Sequence, residues 1–314
     1  MLRLNNWLGP ALAAAVLCPA QETPVFRAET RLVLLHASVV DRQGRLLVNL
    51  PQKAFRVYED GVEQQIKLFR REDIPVSMGL IIDSSGSMRD KRQKVEKAAL
   101  ALVKASNPQD EVFIVNFNDE AYLDTPFTND IAKMEEGLSQ IDSRGGTAMR
   151  DAISLAIDYI KEEAKLDKKV LVVITDGNDN TSAIPLERLV KKAHDSEVLI
   201  YAIGLLSQED RREAKRAKRA LDALTSASGG LAYYPRELDE VHQIALLVAH
   251  EIRNQYVIGY SPSRQELDGS FRQIRVTVDA PGRPTVRTRS GYYATAESPR
   301  KVSSFRSGRE IGSR

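Results

Sequence analysis

A chain of 314 residues with 42% hydrophobic content is long enough for about two domains and carries the apolar material for a sizeable core. Its 45 basic and 43 acidic residues leave a net charge of +2, so no strong field marks a nucleic-acid or anionic-membrane binder. A single cysteine, Cys18, excludes a disulfide framework within the chain.

Residues 1–20 differ from everything after them. Arg3 is their only charged side chain, residues 8–17 are apolar, and Cys18-Pro19-Ala20 offers small residues for cleavage. This pattern predicts a secretory signal peptide, and therefore an exported chain in the periplasm, at the cell surface or in the medium. A lipoprotein signal fits less well, because bulky Leu17 directly precedes Cys18. Cleavage after Ala20 removes the cysteine and leaves packing, and metal where it binds, to stabilise the mature chain. No later apolar stretch approaches the ~20 residues of a membrane span, so no integral membrane segment is expected in the mature chain.

Residues 21–73 read as an N-terminal β flank. Apolar runs at 32–35 and 39–40 precede a turn at 41–44, and the run 55–58 precedes Asp60-Gly61, a strong hairpin dipeptide. From 74 to 254 strand and helix alternate, which argues for a parallel sheet built from right-handed crossovers. The predicted strands are 76–82, 112–117, 170–175, 198–203 and 231–234. Helices are predicted near 90–104, 131–140, 148–163, 186–195, 209–226 and 238–254. In the first helix Val95, Ala98, Ala99, Leu102 and Val103 share one face, as a helix covering a sheet requires. The basic stretch 211–219, interrupted by Glu213 and by alanines, reads as a solvated helix face.

Beyond 254 strands return. Residues 256–260 are followed by a turn at Asp268-Gly269, then by alternation with Ile274, Val276 and Val278 facing one way, then by a further strand over 286–293. A module of two or three strands is marginal alone, so the flanks 21–73 and 255–296 are expected to pair into one small β module interrupted by 74–254. Residues 297–314, rich in Ser, Arg and Gly, predict a disordered tail. The fold class is α/β: a Rossmann-like, open, mostly parallel sheet flanked by helices and inserted between β-rich flanks.

Three fragments carry chemistry. Asp83-Ser84-Ser85-Gly86-Ser87 follows the first predicted strand of the central block, so a carboxylate and two hydroxyls hang off its end. Gly145-Gly146-Thr147 opens a helix, and Thr175-Asp176-Gly177 closes another strand. In an open parallel sheet, ligands bind in the crevice beyond the carboxyl ends of the strands, where Asp83 and Asp176 fall. Asp83, Ser85, Ser87, Thr147 and Asp176 form an all-oxygen set suited to Mg²⁺, with Mn²⁺ or Ca²⁺ as alternatives. Without His or Cys, zinc and copper have little to favour them. Taken singly, Ser87 and Thr147 fit helix N-caps and Asp176-Gly177 an ordinary turn.

Together the fragments resemble the von Willebrand factor type A family, whose metal-ion-dependent adhesion site combines D-x-S-x-S with a distant Thr and a distant Asp. The resemblance covers the whole alternating block and implies those same five residues as metal ligands. It extends to the flanks, because exported bacterial relatives of this family often show an E-D-G hairpin before the domain and a G-Y-Y-A ending after it. Glu59-Asp60-Gly61 and Gly291-Tyr292-Tyr293-Ala294 match those patterns.

Other patterns fail. His250-Glu251 lacks the second histidine of H-E-x-x-H because position 254 is Asn, and His242 with His250 gives too few zinc ligands. Neither a G-x-S-x-G elbow nor a phosphate-binding G-x-x-x-x-G-K-[ST] loop occurs, and Ser85 and Ser87 have no histidine base in their fragment. Gly145-Gly146 could cradle an anion, but adjacent Thr147 makes a metal loop the better reading. The expected function is an exported, non-enzymatic binding module whose cation captures an Asp or Glu of a protein partner. Two alternatives stand beside it: a metal-dependent hydrolase, for which Asp179 is the nearest available base, and a structural protein with an unused site.

Overall fold

The computed structural model describes residues 31–71, 73–139 and 143–295. The expected signal peptide and the expected tail lie outside them. Four strands come first: β1 (Val33–Val40), β2 (Phe55–Glu59), β3 (Val62–Gln64) and β4 (Ile66–Arg70). The central block then runs β5 (Val76–Asp83), α1 (Arg92–Ala105), β6 (Glu111–Phe117), β7 (Ala121–Thr128), α2 (Ile131–Ser139), α3 (Met149–Glu163), β8 (Lys168–Thr175), α4 (Leu186–Ser196), β9 (Leu199–Gly204), α5 (Arg211–Ser228), β10 (Ala232–Tyr233) and α6 (Glu240–Arg253). Four more strands close it: β11 (Tyr256–Tyr260), β12 (Phe271–Val278), β13 (Thr285–Arg287) and β14 (Gly291–Tyr293).

The central sheet has the order β10-β9-β8-β5-β6-β7, parallel except for β7. Its middle strands are apolar on both faces, which is why they read as continuous hydrophobic runs. Met78, Leu80 and Ile82 of β5 point to one layer, covered by α1, α2 and α6. Ile81, together with Val115 and Val173 of neighbouring strands, points to the other, covered by α3, α4 and α5. Both layers are sealed, so polar groups are admitted chiefly at the strand ends. Among the described residues no helix is long and apolar enough to cross a membrane.

The flanks pair extensively. β1 runs antiparallel to β11, β11 to β4, and β2 to β12. They build two four-stranded sheets, β13-β1-β11-β4 and β14-β12-β2-β3. Leu35, Val57, Ile258 and Val276 share one core between those sheets. Asp60-Gly61 turns the β2–β3 hairpin with φ of 49° and 82°, the doubly positive conformation that this dipeptide favours.

Two points depart from the sequence pattern: the strand expected over 286–293 is two, β13 and β14, in different sheets, and β7 is unannounced. β7, with Asp124 and Pro126 inside it, lacks alternation, yet it is an edge strand, where a missing N–H costs no ladder bond on the open side. The basic stretch of α5 is exposed as expected at Arg211, Arg212, Lys215, Arg216, Lys218 and Arg219.

Buried Glu59 of β2 accepts a hydrogen bond across the two flank sheets from Tyr260 Oη of β11 (2.6 Å) and one within its own sheet from Tyr292 Oη of β14 (3.0 Å). Tyr260→Phe should cost about 1–3 kcal/mol in urea unfolding, because a buried carboxylate loses a donor. An unchanged unfolding midpoint would show that this bridge does not hold the sheets.

Candidate metal centre

The site is assembled at the carboxyl edge of the central sheet by two adjacent parallel strands, β5 and β8, whose register places Ile82 opposite Ile174. Asp83 ends β5 and Asp176 follows β8, so the two carboxylates emerge side by side where apolar packing stops. Asp83 is 2% exposed and Asp176 is fully buried. Asp83 Oδ1 accepts from Ser85 N (2.8 Å) and Oδ2 from Thr175 Oγ1 (2.6 Å), which fix the carboxylate plane. Ser85 Oγ lies 3.1 Å from Ser87 Oγ, and Ser87 Oγ donates to Asp176 Oδ1 (2.8 Å). Four of the five sequence-predicted residues therefore lie in one hydrogen-bonded chain.

Thr147 enters from a second loop. Arg144 N donates to Ser84 O (3.0 Å) and Gly86 N to Gly145 O (3.2 Å), lacing that loop to the one after β5. Thr147 N donates to Asn180 Oδ1 (2.9 Å), and Asn180 N to Thr147 O (3.1 Å), lacing it to the loop after β8. A Cβ built on Gly177 would stand 3.9 Å from Thr147 Oγ1, so the hydroxyl faces the Asp176-Gly177 turn. Gly145 holds φ of 75°, and a Cβ on it would strike the Asp119 carboxylate at 2.1 Å. Asp119 Oδ1 accepts from Gly146 N (2.7 Å), so the glycine pair serves a carboxylate clamp that shapes the Thr147 loop.

Several contributors carry no local sequence signal. Lys91 Nζ sits 2.5 Å from Asp176 Oδ2 across 85 residues of sequence. Thr175 supports Asp83 from within a fragment noticed for its aspartate. Asp179, the base a hydrolase would need, is fully engaged: Oδ1 accepts from Arg150 Nη2 (2.9 Å) and Ser182 N (3.2 Å), Oδ2 from Arg150 N (2.6 Å) and Ser182 Oγ (2.7 Å). His242 and His250 are exposed on α6, on which His250 lies 3.3 Å from the Asn254 amide.

Among the described residues no group of three or more His, Cys, Asp and Glu side chains is arranged to hold a metal, so any cation here depends on hydroxyls as well as carboxylates. The donor set fits a hard cation: two nearly inaccessible carboxylates, three hydroxyls and no nitrogen or sulfur ligand. Burial pushes the Asp83 carboxyl up to about 6, against the hydrogen bonds from Ser85 and Thr175 and with a smaller push from the charge on Asp176. A divalent cation relieves the cost of ionising such a carboxyl.

The raised value fixes the sign of a pH effect in metal-free protein. Folding favours the protonated carboxyl, so the penalty is full above about 6 and is relieved as pH falls toward the ordinary aspartate range. In EDTA, Asp83→Asn should therefore gain stability relative to the parent on going from pH 4 to pH 7, by a few kcal/mol at most. A parent-to-variant difference independent of pH would contradict the buried, strained carboxylate.

A family model for the von Willebrand factor type A domain matches residues 78–178, a span that includes all five candidate ligands. An uncharacterized protein of Borreliella burgdorferi is 30% identical over 141 residues, 44% of this chain and 40% of that protein. The chain spans less than half the length of the curated relatives it matches. A von Willebrand factor type A structure from Catenulispora acidiphila has a TM-score of 0.50 at 14% identity, over 87% of this chain and 76% of that one. Proximal thread matrix protein 1 from the mussel byssus, solved with a zinc-occupied MIDAS motif, has a TM-score of 0.50 at 16% identity, over 62% of this chain and 50% of that one. These likenesses show the fold.

Proposed function

We propose that the chain, whose residues 78–178 match the von Willebrand factor type A domain model, is a metal-dependent protein-binding module whose cation captures an Asp or Glu of a partner. The observation that carries this reading is the pair of buried carboxylates, Asp83 and Asp176, joined by Ser85 and Ser87 through a chain of hydrogen bonds at the carboxyl edge of the sheet. Asp83, Ser85, Ser87, Thr147 and Asp176 would hold the cation, Mg²⁺ first, with Mn²⁺ or Ca²⁺ as alternatives. Two carboxylates balance the ion's formal charge, and with three neutral hydroxyls they would fill five of about six oxygen positions, leaving one for a further carboxylate. That is the chemistry the ion supplies.

The protein's part is positional. Thr175 and Ser85 N orient Asp83, Asp119 shapes the Thr147 loop, and Asn180 ties that loop to the Asp176 turn. Engagement of Asp179 by Arg150 and Ser182 favours binding over hydrolysis, because a general base needs an oxygen free to take a proton. The motif of the mussel protein is described as zinc-occupied, so Zn²⁺ belongs among the metals compared. Export, with the partner at the cell surface, in the periplasm or in the medium, is part of the proposal and rests on the composition of residues 1–20.

Thermal unfolding tests the site. Mg²⁺ at a hundredfold excess over Kd should stabilise the parent by about 2.7 kcal/mol through mass action. Asp83→Ala, Thr147→Ala and Asp176→Ala should each lose that response while retaining the far-ultraviolet circular dichroism of the parent. An undiminished metal response in Asp83→Ala would move the site elsewhere, and metal-dependent turnover of a peptide or phosphoester would favour the hydrolase.

A further inference from the structure

We propose that Lys91 is the resident cation of the metal-free site, and that a metal ion gains Asp176 only by displacing the Lys91 ammonium. The inference rests on the metal-binding reading above. Its starting point is that both oxygens of Asp176 are already engaged: Ser87 Oγ donates to Oδ1 at 2.8 Å, and Lys91 Nζ approaches Oδ2 to 2.5 Å. The lysine side chain is only 11% exposed and Asp176 not at all, so this pair is shielded from the water that weakens surface ion pairs.

The position of Lys91 in its own helix gives an independent argument. It is the N-cap of α1, where an oxygen-bearing side chain normally accepts from the first backbone N–H groups, and it makes no side-chain cap bond. A cation is disfavoured at that end of a helix, and the first turn of α1 contains no acidic residue to offset it. Local helix chemistry therefore gives no reason for lysine here; Asp176 does. The other cations of that turn look elsewhere, Arg92 to Glu96 and Lys94 to Asp239.

Displacement has somewhere to go. Glu209, just before α5, is close enough that the charges of both Asp176 and Lys91 act on its carboxyl. A four-carbon stem with rotatable donors lets the ammonium swing from one carboxylate to the other. The site thus exchanges a single fixed charge for a doubly charged ion, and Lys91 offsets the buried charge of Asp176 until that exchange occurs.

Mn²⁺ titration of the full chain, followed by electron paramagnetic resonance of the free ion, tests this with the parent, Lys91→Met, Lys91→Gln and Lys94→Met. Removing the competing cation should tighten Mn²⁺ binding about tenfold or more in both Lys91 variants, the scale of a charge-assisted hydrogen bond. In EDTA the same variants should melt at lower temperature than the parent, and the deficit should vanish at saturating Mn²⁺. Lys94→Met, whose ammonium serves Asp239, should bind Mn²⁺ within about twofold of the parent, as a screened surface charge predicts. Equal or weaker Mn²⁺ affinity in Lys91→Gln would overturn the inference while leaving the metal site intact. Titrations silent in the parent and in both Lys91 variants would overturn the metal reading itself, and this inference with it.

Discussion

Two carboxylates that the fold cannot hydrate govern this protein. Asp83 and Asp176 leave adjacent parallel strands at the point where the sheet ends, and both are withdrawn from solvent. Burying like charges side by side is costly unless cations or donors face them. Thr175, Ser85, Ser87 and Lys91 supply those partners, and the loops that carry them must then stay in register with one another. Much of the ordering at this edge, including the Gly86–Gly145 and Thr147–Asn180 lacing, follows from that requirement.

The rest of the chain keeps the edge rigid. In a sheet covered on both faces a one-residue slip would carry every side chain into the other layer, against helices packed to fit different side chains, so the strand ends are delivered to fixed places. The flank sheets are joined to this framework by a polar seam. Gln255 Nε2 donates to Tyr201 Oη (3.1 Å) and to Ser38 Oγ (3.2 Å), while buried Glu251 accepts from Tyr233 Oη (2.8 Å) and lies 3.7 Å from Arg287 Nη1. Tyr201 and Tyr233 belong to the central sheet, Ser38 and Arg287 to the flanks. Replacing one member strands another, so the seam ties the two parts in a specific arrangement.

What sequence makes legible here follows from range. The apolar runs of β5 and β8 announce themselves because strands buried on both faces need no polar alternation, and Asp60-Gly61 announces its hairpin because its conformation is local. The D-x-S-x-S spacing is likewise local, which is why Asp83, Ser85 and Ser87 are found together. β7 is hidden because an edge strand tolerates Asp124 and Pro126. The Lys91–Asp176 pair is hidden because nothing near Lys91 distinguishes it from any charged residue at a helix start. Asp179 reads as an available base from its neighbours alone, and only its distant pairing with Arg150 removes it from that role. The two-sheet form of the flanks depends on pairings more than 200 residues apart, such as that between Leu35 and Ile258.

The central claim is that these five oxygen donors share one divalent cation. Anomalous diffraction at the manganese edge, from crystals grown with Mn²⁺, addresses it most directly. The account predicts a single strong peak enclosed by Asp83, Ser85, Ser87, Thr147 and Asp176, absent from Asp83→Ala crystals grown in the same way. A peak bound by other residues, or none at this edge of the sheet at saturating Mn²⁺, would contradict it.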